Sequence, residues 1–525
     1  MGRVLTNNTS YAFVRETALK TPATTGWRTM EPDEVSKFGN EFKSVARNPI
    51  SKNRQARKGK VTDLDSGVEI KVDLVMSHFE DMVETFVMAT ATNNDTRFEG
   101  VNATTSGYTI SAATADQAEK FQYTAGGPIS LVKARGYATS ANNGIKPLSA
   151  DLALTDTTLA VAGNAAETAP TNALVELCGI RAEAGDLALA VSGTTGTLSS
   201  GNNSASNNID FTTLGLTVGQ LIHVGGLSDT YRFGSTAAGD GTRSYGYARV
   251  MAIAAASLTL NRMESTLVAS DGTDDGNSGN LVATDLLFGR YIRSVAVDDS
   301  AYLEASYHVE QAKPNLDSGG STMYSYARGN YADEWTFDLP LADKATMTMG
   351  FIGTDTQDPT TTRKTGASSA IEPLKVSEFS TSADIARLTV LGVDESGLTT
   401  DFRNLTVKIM NRVSPEKVLG TLGAKYLNTG NFGVELDFEA LFTNSDVMPA
   451  IRNSTTCGLA FVLYEETDGA IGVDIPSMTL GDGSQNLEKD KSVGIKLKGM
   501  AHMDSTLGTS LSVSLFPAAP APTTT

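Results

Sequence analysis

Few side chains in this sequence could carry chemistry. The four histidines, His78, His223, His308 and His502, stand singly and at no metal-ligand spacing. The two cysteines, Cys178 and Cys457, are too few and too distant for a disulfide framework or a zinc site. A nucleophilic serine on a strand-to-helix elbow would need Gly-x-Ser-x-Gly, which is absent. Gly234 and Gly239 have the spacing of a phosphate-cradling loop, but Asp240 stands where the lysine should be and would repel phosphate. Residues 271–279 look like a calcium loop. Thr273 at the third position and the lack of a glutamate at the twelfth remove them from that class. The expectation is a protein with no enzymatic activity, no metal and no cofactor.

What remains is charge. Residues 43–60 hold seven basic side chains, Lys43, Arg47, Lys52, Arg54, Arg57, Lys58 and Lys60, and no acid. Such a run seeks nucleic acid or an acidic protein surface. It has no interleaved aromatic on which bases could stack. The whole chain carries −18 at pH 7, the opposite of a nucleic-acid binder's footprint. A loop that contacts a neighbouring subunit is the preferred reading. Two further sets, Glu69/Lys71/Asp73 and Glu435/Asp437/Glu439, recur at every second residue, as on the wet face of a sheet.

The elements that would position these groups follow from periodicity. Val68, Ile70, Val72 and Leu74 alternate with Glu69, Lys71 and Asp73, which predicts a strand with one dry face. Ser77-His78-Phe79-Glu80 has the form of a capping box. Phe79, Met82, Val83, Phe86 and Val87 then form an apolar stripe, so a helix is expected over 78–89. Trp335, Phe337 and Leu339 alternate with Thr336 and Asp338, and Met347, Met349 and Phe351 alternate with Thr348 and Gly350. These two segments predict a hairpin. Phe432, Val434, Leu436 and Phe438 share a face, as do Leu405, Val407 and Ile409. Residues 459–463 are apolar on both faces, as in a covered central strand.

A basic loop, an alternating strand and a short helix, in that order, resemble the tail tube (major tail) proteins of tailed bacteriophages. Asn53-Arg54-Gln55-Ala56-Arg57-Lys58-Gly59 and Val68-Glu69-Ile70-Lys71-Val72 carry the resemblance. The hairpin around 334–353, closing on Gly350-Phe351-Ile352-Gly353, extends it. The likeness covers most of 10–100 and 286–516. It implies an all-β fold, a β-sandwich or half-barrel with a short packing helix, which closes into a β-barrel ring on oligomerisation. It also implies homohexameric rings stacked into a tube within the virion tail, assembled in the host bacterial cytoplasm. Double-stranded DNA would pass through without specific binding. Tape measure, terminator and baseplate proteins would be the other partners. Glu69, Lys71, Asp73, Glu435, Asp437 and Glu439 would then face the lumen, and the basic loop would reach the next ring.

At 525 residues the chain has room for two to four domains. Residues 1–100 and 286–517 read as the two parts of a tube domain, and 518–525 as a flexible tail. Residues 101–285, rich in Asn, Thr, Ser, Ala and Gly, read as an insertion. Within it, 131–137 and 221–227 resemble each other, which predicts two small β-domains, about 106–163 and 184–262. Such domains would decorate the tube and tolerate deletion. No apolar run at the start suggests a signal peptide, and none is long enough for a membrane helix. Two other readings remain open: another tail ring component, from the baseplate or tail completion, and a bacterial surface-layer or adhesin β-protein.

Overall fold

The computed structural model describes residues 5–520, apart from 48–49, 51–56, 203–206, 235–242, 273–280, 316–319, 375–376, 392–401, 442–446, 466, 468, 488 and 490–491. Strands make up 50% of the structure and helices 9%, so the all-β expectation holds. Among the described residues the sheets are open, with no barrel closed within one subunit. No helix among the described residues is long and apolar enough to cross a membrane.

The first part supplies β1 (Ser10–Ala18), β2 (Glu34–Arg47), β3 (Arg57–Asp73) and the helix α1 (Met76–Val87). The inserted part supplies β4 (Ile129–Arg135), β5 (Leu174–Arg181), β6 (Leu221–Val224), β7 (Gly246–Ala254) and β8 (Asp285–Leu287). The last part supplies β9 (Met323–Leu339), β10 (Thr346–Gly353), β11 (Phe402–Met410), β12 (Gly433–Leu441), β13 (Thr456–Glu465), β14 (Gly469–Asn486), β15 (Gly494–Ala501) and β16 (Ser512–Phe516). Shorter strands join them.

Eight strands form an antiparallel run in the order β2-β3-β10-β9-β11-β12-β15-β14. The first half of β14 carries β13 on one side and β16 on the other. The expected hairpin is β9 with β10, Trp335 opposite Met349 and Phe337 opposite Met347. Residues 459–463 lie within β13, buried on both faces. Because side chains alternate, Val68, Ile70, Met349, Trp335, Val407 and Leu436 all fall on one face. α1 covers that face. Phe79 and Phe86 bracket Trp335, with ring centroids 5.0 and 5.1 Å away. Met82 and Val83 are fully buried beside them. Each such side chain contributes roughly 1.5–3 kcal/mol of burial free energy.

The start of α1 corrects the capping box. The helix begins at Met76, its N-cap is Val75, and no side chain caps it. Ser77 Oγ has no hydrogen-bond partner. Glu80 is drawn elsewhere, to Arg97 and Arg135. Two buried guanidiniums outcompete one backbone amide for a carboxylate.

The insertion also differs from expectation. Its strands build one ten-stranded sheet containing β4-β5-β8-β6-β7 in that order. β8 pairs with β5 on one side and β6 on the other, so it stitches the two expected copies together. Val132, Val175, Ile222, Val250 and Leu286 share one apolar cluster. The two expected β-domains share this one sheet and are halves of a single body. The internal likeness itself is visible: β4 and β6 each run into a glycine in the left-handed region, Gly136 (φ +86°) and Gly225 (φ +99°). A 3-10 turn follows each, Ser140–Asn142 and Asp229–Tyr231.

The insertion is bolted to the rest of the chain. Leu221 and Tyr247 pack on Val462, Tyr464, Ala470, Phe516 and Ala519. Leu131, Cys178 and Leu287 pack on Ala518. Asp474 of β14, 1% exposed, accepts from Arg249 at 2.9 Å and also binds Arg262. Residues 517–520 are buried in this seam, which corrects the reading of a flexible tail from 518 onward. Residues 521–525 lie outside the described residues.

Candidate functional site: a polar sheet face and a basic arm

The wet side of the eight-stranded run is the first candidate surface. Cross-strand register sets its rows. Lys71, Thr348, Thr336, Lys408, Glu435 and Met500 stand in one row. Asp73, Thr346, Asp338, Thr406, Asp437 and Lys498 stand in the next. All six residues expected on a common polar face, Glu69, Lys71, Asp73, Glu435, Asp437 and Glu439, lie on this one side of one sheet. Glu69 and Asp437 are exposed and the other four half-buried.

Sequence reasoning missed the rest of the face. Glu334, Asp338 and Lys408 also line it, at the polar positions of segments already recognised as alternating, and Lys496 and Lys498 join them from β15. Many of these charges are matched. Lys408 meets Glu334 at 2.7 Å, Arg403 meets Glu439 at 3.0 Å, and Thr406 donates to Asp338 at 2.9 Å. The face is polar and charged, with Met500 the large apolar side chain in its rows.

The second surface is the end of the β2–β3 hairpin, and here the expected loop over 43–60 needs correction. Lys43 and Arg47 lie on β2, and Arg57, Lys58 and Lys60 on β3, with Arg47 opposite Arg57. Lys52 and Arg54 lie outside the described residues. Both faces of this arm are wet, so no period-two pattern marked it as strand. Phe42 and Val45 on β2 and Val61 on β3 are 61%, 62% and 43% exposed. Lys43 is satisfied within its own hairpin by Asp65 and by Asp63 at 3.8 Å, and Lys417 joins them at 2.5 and 2.7 Å. Among the described residues β2 pairs only with β3. It leaves a 14-residue open edge.

No group of three or more His, Cys, Asp or Glu able to hold a metal occurs among the described residues. Two of the histidines serve structure: His223 Nδ1 contacts the Gly225 carbonyl at 2.8 Å, and His308 Nδ1 contacts Glu16 at 2.8 Å. Asp240 and most of 271–279 lie outside the described residues.

A buried charge cluster ties α1 to the insertion, and no local sequence signal announced it. Arg135 donates to Glu80 at 2.9 Å and to Glu176 at 2.7 Å, and Arg97 donates to Glu80 at 3.1 Å. Burial alone would raise Glu80; Arg135, Arg97 and Arg290 reverse that and hold it at about 2. Its neighbour Asp81 fares worse. Burial pushes Asp81 up to about 6, although Arg28 stands 3.2 Å away. Desolvation wins because Arg28 is shared with Glu99 at 2.7 Å. A carboxyl raised in the fold favours the protonated form, so its ionisation costs stability as pH rises from about 4 to 6. Asp81→Asn is expected to raise stability at pH 8 by about 1–3 kcal/mol and to change it little at pH 4. Urea melts at the two pH values check this; equal shifts at both would refute it.

The geometry is that of a structural subunit with a polar sheet face, an open edge and a projecting arm. A comparison with curated proteins finds no match. A family model described as phage tail tube protein matches residues 6–501, nearly the whole chain. The chain therefore belongs to the phage tail tube protein family.

Proposed function

We propose that this protein forms homohexameric rings that stack into the conduit for DNA ejection, with the polar face of the eight-stranded run turned to the lumen. As a tail tube family member it is a structural component of the phage tail. One observation carries the finer reading: Glu69, Lys71, Asp73, Glu435, Asp437 and Glu439 share one side of a continuous sheet whose edge strand β2 is open. An open edge of this length calls for a partner strand, and neighbours arranged in a ring supply one to every copy.

Such a wall suits passage. Its acids repel phosphate, and its lysines are largely opposed by acids across the strands, so DNA finds few cations from which to release counterions. The basic arm would reach the next ring. The tape measure, terminator and baseplate proteins are the expected further partners.

Helical reconstruction of the purified, polymerised protein tests the arrangement. Six copies per ring with Glu435 and Asp437 on the inner wall support it; the same residues on the outer wall refute it. Reversing charge there probes the consequence. Glu435→Lys with Asp437→Lys is expected to leave tubes intact and to slow genome ejection about tenfold, because every ring then presents cations to the phosphates. Ejection at the normal rate from such tubes would show that the face plays no part in passage.

A further inference from the structure

At the opposite end of the β2–β3 hairpin from the arm lies a cleft of about 780 Å³. Glu31, Asp33, Glu34, Asp73, Glu372 and Glu378 line it, and none of its described lining residues is a lysine or arginine. Lys344, beside it, reaches Asp73 at 2.5 Å and Asp33 at 3.6 Å. One lysine shared between two carboxylates leaves negative charge over, and burial and Asp73 together raise the Asp33 carboxyl.

Two uncharged groups face the same space. His78 lines the cleft, is 5% exposed and makes no hydrogen bond among the described residues. Ser77 Oγ, also in the lining, is buried and unpartnered. Native interiors satisfy such groups. A site with surplus carboxylates and waiting hydrogen-bonding side chains takes a cationic polypeptide.

We propose that this cleft receives the basic arm of a second copy of the chain. This rests on the tube reading and names the surface on which the arm seats. Charge supports it: Lys58 and Lys60 of the arm are exposed, and no acid falls between 43 and 60. Direction supports it too. Asp33 to Val35 open β2 and Asp73 closes β3 at the cleft, whereas Arg47 and Arg57 mark the far end. The 14 residues of β2 separate donor and acceptor by about 40 Å. A donor and an acceptor at opposite ends of one hairpin make a head-to-tail contact, which repeats as an open stack when successive copies are displaced along the hairpin axis. Copies displaced along the hairpin axis therefore stack indefinitely, as a tube requires.

The test is a charge exchange. A cleft variant carries Glu31→Lys, Glu34→Lys and Glu378→Lys. An arm variant carries Arg57→Glu, Lys58→Glu and Lys60→Glu. Each alone is expected to raise the protein concentration needed for tubes at least about tenfold. Both sets on one chain are expected to restore tubes, which excludes misfolding as the cause. Mixing the two single variants is expected to restore tubes of alternating rings, since the basic arm of the cleft variant meets the acidic cleft of the arm variant and the acidic arm of the arm variant meets the basic cleft of the cleft variant. A cleft variant that polymerises normally, while the arm variant does not, overturns this seat and leaves the tube reading standing. Wild-type protein that forms neither rings nor tubes overturns the tube reading and this inference with it.

Discussion

A chain lacking residues 106–262 is expected to yield no soluble, cooperatively folded protein. Sequence alone suggested a removable decoration. In the structure the deletion strips Leu221, Tyr247, Leu131 and Cys178 from the seam. Val462, Tyr464, Phe516, Leu287 and Phe288, all now buried, would meet water. At about 1.5–3 kcal/mol each, five such side chains approach the entire stability of a typical domain, about 5–15 kcal/mol. The deletion also removes Arg135 and Glu176 from the Glu80 cluster and both arginines from Asp474. Soluble yield and a thermal melt decide the matter. A deletion product that melts in one transition within a few degrees of the full chain would refute it.

Asp474→Ala is the point-mutation form of the same argument. Asp474 receives Arg249 at 2.9 Å and Arg262 alongside, all three nearly out of water. Removing the carboxylate takes the Asp474 charge away from both guanidiniums, a loss of about 3–5 kcal/mol. Arg249 keeps Asn261 at 3.0 Å and Arg262 keeps the Pro476 carbonyl at 3.0 Å, which cannot neutralise them. Replacing both arginines by leucine in the Asp474→Ala background is expected to recover part of the loss, because buried charge is the fault and not missing volume. Urea midpoints measure both. A loss under about 1 kcal/mol for the single variant would place the arginines in water and refute the buried triad.

The tube portion was legible because its signals are local. Val68, Ile70 and Val72 announce a half-buried strand by alternation, and Trp335 and Phe337 do the same for the strand they occupy. Their polar partners follow automatically, which is why Glu69, Asp73, Glu435 and Asp437 were found on a face they do share. The arm was read as a loop because both its faces are wet and period two vanishes without a dry side. The long-range ties were out of reach. Arg135 and Glu176 lie 41 residues apart, and Arg249 and Asp474 lie 225 apart. Nothing local to β4 or β7 marks an arginine as a bolt. The single-body insertion hid for the same reason: β8, three residues long, does the stitching.

The seam that holds the insertion has a consequence in time. Ala518 and Ala519 are made only after the whole insertion, yet they pack against Leu131, Leu287, Leu221 and Tyr247. β16 must be paired with β14 and with Arg290–Arg293 before that surface exists. During synthesis the insertion therefore leaves the ribosome with its docking face bare and waits for more than two hundred further residues to emerge. Contacts of such long sequence separation make for slow folding and extended exposure of apolar surface. The subunit completes this seam only once residues 512–519 have been made and docked, so that late step of its own folding sets the earliest moment at which it can join a tail.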